Sequence, residues 1–95
     1  MVCSVDSTFK FSHGRIVITD NAAEQLSIQD VSVALGRHLQ GDWGDLSAPN
    51  RQDNERGLLE GCRLLSAYQT GTGVRFWIIT EADRSRTTVL LPEDY

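Results

Sequence analysis

The chain has 95 residues, 40% apolar in the broad count and 23% charged, which fits one compact globular domain and excludes a multi-domain machine or a helical array. Nine basic residues stand against thirteen acidic ones for a net charge of −4, and Lys10 is the only lysine beside eight arginines. Such a chain lacks the diffuse positive field of a general DNA binder, and no run of about 18 apolar residues offers a membrane span.

Residues 1–12 mix polar and apolar types without a period and are expected to form a partly loose segment ahead of a single domain over 13–95. They contain no apolar run behind a basic one, so the expected location is cytoplasmic. Arg15-Ile16-Val17-Ile18 follows Gly14 and is short and β-branched, which predicts an edge strand. Thr19 or Asp20 then caps a brief helix through Leu26. Ser27 begins another, with Asp30 in its first turn and Ile28, Val31, Leu35 and Leu39 as its apolar face. His38 falls beside that face, at its boundary.

Gly41-Asp42-Trp43-Gly44-Asp45-Leu46 interrupts the helices with turn formers, and Trp43 and Leu46 are large enough to plug the loop onto the core. Ser47 and Pro49 start a third helix that stays polar to Glu55, then brings Leu58, Leu59 and Cys62 inward and ends near residue 62 or 63. Leu64–Gln69, Val74–Thr80 and Thr87–Leu91 read as strands, separated by turns at 70–73 and 82–85 and closed by Pro92. The predicted fold is α+β, a two-layer domain with helices packed on a small antiparallel sheet in the order β-α-α-α-β-β-β. Open edge strands with apolar residues on both faces favour pairing into a homodimer.

Two groups of residues carry the candidate chemistry. Period two puts Arg75, Trp77, Ile79 and Glu81 on one face of the central strand. Arg75, Glu81 and Arg84 are expected to gather near Tyr68 and Arg86, with His13 as a further acid–base group. A carboxylate base, guanidiniums for phosphate and hydroxyl donors are the parts of metal-independent phosphodiester cleavage. Cross-strand pairing of arginine with glutamate explains the same residues without chemistry. The second group is Trp43 with Asp42, Asp45, Asp53 and Glu55, an aromatic anchor on an acidic surface suited to a basic protein partner. Two distant cysteines, no His-x-x-x-His and no phosphate loop followed by lysine leave no metal or cofactor expected.

Gly41–Leu46, Asn54-Glu55-Arg56, Leu64–Tyr68, Trp77–Ser85 and Thr87–Pro92 together resemble a family of small uncharacterised bacterial proteins, often carried on plasmids and other mobile elements. Some members carry a label linking them to type I restriction-modification. A chain of 95 residues has no room for the cofactor-binding domain of a methyltransferase. The residues and the resemblance together imply a small acidic interaction or regulatory protein acting on a host protein complex. The alternative is a compact toxin-type ribonuclease using Arg75, Glu81, Arg84 and Arg86, assisted by Tyr68 or His13, with RNA as its partner.

Overall fold

The computed structural model describes residues 9–95. Strand β1 (Arg15–Ile18) leads into helices α1 (Asp20–Gln25), α2 (Ile28–Leu39) and α3 (Ala48–Glu60). Strands β2 (Leu64–Gln69), β3 (Arg75–Thr80) and β4 (Arg86–Leu90) follow, and a 3-10 turn over Pro92–Asp94 closes the chain. The helices start where their caps are: Thr19 accepts from the Ala22 amide, Ser27 and Asp30 form a reciprocal box, and Ser47 accepts from the Asn50 amide. Gly61, with φ of 73°, ends α3 in the left-handed conformation. That stop comes before Cys62, which is therefore exposed in the following turn and not a core residue.

The sheet order is β1-β4-β3-β2. β2, β3 and β4 form the antiparallel meander, while β1 joins alongside β4 in parallel, so the sheet is mixed. No hairpin links β1 to β4, and the long helical connection leaves the direction of β1 free. Register and alternation put Leu64, Ser66 and Tyr68 on one face with Thr80, Ile78 and Phe76, joined by Thr87 and Val89. This is the face the helices cover. Ala22, Leu26, Val31 and Ala34 pack there against Tyr68, Phe76, Ile78, Val89 and Leu91. The buried stripe of α2 is Val31, Ala34, His38 and Leu39; Ile28, expected on it, is 87% exposed beside the outermost strand.

The two sheet edges differ. Along β2, the Trp43–Asp45 loop pairs with Ala67, through Ala67 N to the Trp43 carbonyl at 3.1 Å and Asp45 N to the Ala67 carbonyl at 2.8 Å. Gly44 has φ of 75°, and a Cβ there would overlap the Ala67 carbonyl oxygen, so this close approach requires glycine. The Asn54 carboxamide then bonds both backbone groups of Leu65. Strand β1 has no such cover among the described residues. At the chain's start, the Lys10 amide donates to the Leu39 carbonyl at 2.8 Å and Phe11 packs on His38 and Trp43. The segment expected to be loose is thus held at residues 10 and 11, while residues 1–8, with Cys3, lie outside the described part.

Candidate functional site

Helix α2 sets His38 over the sheet, fully buried and not at the boundary of the helix face. Its Nδ1 lies 2.5 Å from the Ser66 hydroxyl and its Nε2 2.9 Å from that of Thr80. Thr80 is 2.8 Å from Thr87, whose hydroxyl donates to the His13 carbonyl at 2.7 Å. Because a carbonyl only accepts, the directions follow in turn: Thr87 donates to His13, Thr80 to Thr87, His38 Nε2–H to Thr80, and Ser66 to Nδ1. A neutral imidazole satisfies every member. Burial, aided by the positive charge of Arg84, lowers the His38 pKa from 6.5 to about 3. A serine hydrogen-bonded to histidine has the outline of an activated nucleophile, but both side chains are sealed from solvent, and the chain of hydroxyls serves the core.

Of the arginine and glutamate candidates, Glu81, Arg84 and Arg86 come together around the β3–β4 turn, while Arg75 stands apart. Arg75 opens β3 opposite Gln69, whereas Glu81, Arg84 and Arg86 lie beyond its other end, about 20 Å away at roughly 3.3 Å per residue. Tyr68 points to the helix side, donates to the Asp42 carbonyl at 2.6 Å and is pushed up to about 12 by burial. Arg84 adopts φ of 62°, and its guanidinium donates to the carbonyls of Cys62 at 2.6 Å, Gly57 at 3.1 Å and Glu81 at 3.1 Å. It also lies over the Phe11 ring at 5.6 Å. Arg84 therefore clamps the β3–β4 turn to the end of α3 and to the N-terminal segment. His13 places its carbonyl on the buried hydroxyl chain and its ring Nδ1 2.6 Å from the Gly14 carbonyl. Nor does the cross-strand pairing form: among the described residues the ion pairs are Arg37–Asp42 at 2.7 Å and Arg56–Asp53 at 3.9 Å.

Trp43 is a plug and not an exposed anchor, with 3% of its surface accessible. Its Nε1–H donates to Glu55 at 2.8 Å, and the rings of Phe11 and His38 flank the indole. Asp42 holds Arg37 through two bonds, 2.7 and 3.2 Å, and that guanidinium keeps the Asp42 carboxyl below the usual carboxylate range. Asp45 and Asp53 remain exposed surface charges. Of the acidic group, Glu55 and Asp42 thus act first in building the loop that closes the β2 edge.

Exposed isoleucines gather on the opposite flank. Ile16 is 42% exposed, Ile18 39% and Ile28 87%. Ile18, Ala23, Leu26, Ile28 and Val31 line an apolar groove of about 300 Å³ between β1 and the first two helices. In the parallel ladder Arg15 N donates to the Ser85 carbonyl and Thr19 N to the Val89 carbonyl, each at 3.0 Å. The backbone groups of Ile16 and Ile18 consequently point off the sheet. Sequence reading named the strand as an edge but missed this flank as a site; Ile16 and Ile18 alternating around Val17 beside an apolar helix start was the available signal.

Comparison with protein-family models, with curated protein sequences and with solved structures finds no match. Among the described residues, no three His, Cys, Asp or Glu side chains gather as a metal site, and no helix is long and apolar enough to cross a membrane.

Proposed function

We propose that this chain is a small interaction or regulatory protein that works through its surface, in keeping with its resemblance to proteins of mobile elements, and that its partner surface is the flank formed by β1 and the start of α2. The observation that carries this reading is the apolar groove lined by the exposed Ile18 and Ile28, with exposed Ile16 beside it on a sheet edge that no other described segment covers. Apolar side chains scattered singly on a surface need no explanation, but Ile18 and Ile28 sharing one groove, with Ile16 exposed on the same face of β1 and backbone groups unpaired among the described residues, have the makeup of a recognition site. The ribonuclease alternative draws less support. Its arginines are divided between the two ends of β3, and Arg84 is committed to backbone carbonyls.

The test is retention of host proteins on immobilised wild-type chain, Ile28→Glu and Arg75→Ala, with RNA cleavage assayed in parallel. Ile28 is almost fully exposed, so its replacement leaves the core intact. The expected outcome is a defined partner lost at least tenfold on Ile28→Glu, kept by Arg75→Ala, and no RNA cleavage by any form. Cleavage that depends on Arg75 would replace this reading with the enzymatic one.

A further inference from the structure

We infer that the occupant of the β1 flank is a second copy of this chain, docked by antiparallel pairing of β1 with β1 about a two-fold axis through Val17. This rests on the reading of that flank as the partner surface. The backbone carries the first part of the argument. Ile16 and Ile18 each turn an N–H and a C=O outward, and an antiparallel partner centred on Val17 sets Ile16 opposite the second copy's Ile18. Each such pair exchanges two hydrogen bonds, and the two-fold generates both pairs. The result is one continuous eight-stranded sheet from two four-stranded ones. The β2 edge cannot do this, because the Gly44 bridge and the Asn54 carboxamide already occupy it.

The side chains support the same register. Ile16 and Ile18 lie on the helix-covered face, in line with Thr87 and Val89. With Ile16 of one copy opposite Ile18 of the other, its side chain enters the layer where Ile18, Leu26 and Ile28 line the groove. The two-fold repeats this contact, so each copy fills the other's groove.

Charge supplies the third argument. Arg15 lies beside Arg86 in the parallel register, both exposed and neither in an ion pair among the described residues. Like charges side by side on a sheet are unfavourable, and a carboxylate brought up to one of them offsets that cost. The register sets Arg15 opposite the second copy's Thr19, and Thr19 donates to Asp94 at 2.7 Å. Asp94, also held by Asn21 and the Leu91 amide, is likewise in no ion pair among the described residues. Each copy thus brings a carboxylate that is in no ion pair among the described residues to the other's Arg15.

The test is sedimentation equilibrium of the full chain from about 1 µM to about 1 mM, the range in which an interface of modest area associates. Wild type should pass from monomer to dimer within it. Ile16→Lys, at a position already 42% exposed in the monomer, should raise the dissociation constant at least tenfold while far-ultraviolet circular dichroism stays unchanged. Arg15→Asp and Asp94→Arg should each weaken the dimer several-fold, and the double variant should recover most of that loss. A wild-type chain that stays monomeric throughout overturns self-pairing, as does a dimer indifferent to Ile16→Lys. Either result leaves the broader interaction reading to the Ile28-dependent capture of a host protein, which is measured separately.

Discussion

His38 sits where a protonated ring is costly. Ser66 donates to Nδ1, so a proton there would force that hydroxyl to accept instead, displace its own O–H and leave a charge in the core beside Arg84. The folded pKa of about 3 against the ordinary 6.5 makes this a statement about stability. Above 6.5 both states hold the ring neutral and the stabilisation is fully present. As pH falls below 6.5, the unfolded chain takes up a proton that the folded chain refuses. Stability is then lost progressively until pH nears 3. The carboxylates lowered by hydrogen bonds, Asp42 by Arg37, Asp83 by Ser85 and Asp94 by Thr19, act in the same direction but against an ordinary value of 3.8. The interval above them belongs to His38. Urea unfolding should show wild type losing about 2 kcal/mol between about pH 7 and about pH 5. His38→Gln, with one donor and one acceptor but no titration, should be level there. A wild-type profile as level as the variant's would mean that His38 keeps an ordinary pKa.

At the scale of elements, the β2 edge shows how a helix and a loop can replace a missing strand. Asn54 is 5% exposed, and its Oδ1 accepts from the Leu65 amide at 3.2 Å while its Nδ2 donates to the Leu65 carbonyl at 2.6 Å. That exchange is what a neighbouring strand would make. Asn54→Ala leaves both Leu65 groups partly buried without partners and should cost about 2–3 kcal/mol in urea unfolding. Asn50→Ala, on the exposed side of the same helix, should change stability by less than about 0.5 kcal/mol. Equal small effects would show that water serves Leu65 as well as Asn54 does. Much at this scale was legible beforehand because it is local: the caps at Thr19, Ser27 and Ser47 and the two hairpins are set by residues within a turn of each other. What sequence alone could not supply is long-range. The Ser66 and Thr80 partners of His38 lie 28 and 42 residues along the chain, so its burial had no local signal. Arg84 reads in sequence as a phosphate-holding guanidinium because the carbonyls it clamps, Gly57 and Cys62, are anonymous backbone there. Trp43 had two readings in sequence, plug and anchor, and only the tertiary position of Glu55 and Phe11 decides between them.

For the molecule as a whole, the mixed sheet divides into parts with different claims on stability. β2, β3 and β4 are joined by tight turns and pair with near neighbours, so little loop entropy opposes them. β1 is the reverse case, four residues long and, among the described residues, paired on one side only, to a strand whose partner residue Arg86 lies 71 positions from Arg15. Its two outward isoleucines contribute less burial in the monomer than Ile78 and Ile79, which are almost inaccessible. β1 should therefore open without the meander. Native-state hydrogen exchange on dilute protein should give the Arg15 and Thr19 amides, both bonded to the β4 side, protection at least tenfold below that of Ile78 and Ile79. The Ile16 and Ile18 amides, which face away from β4, should exchange near the unprotected rate in the same sample. Raising the concentration into the dimer range should protect those two selectively and carry Arg15 and Thr19 with them, since self-pairing closes the free side of the strand. Uniform protection of β1 and β3 at every concentration would instead mean that the sheet opens as one cooperative unit, with the edge strand as firmly held as the centre.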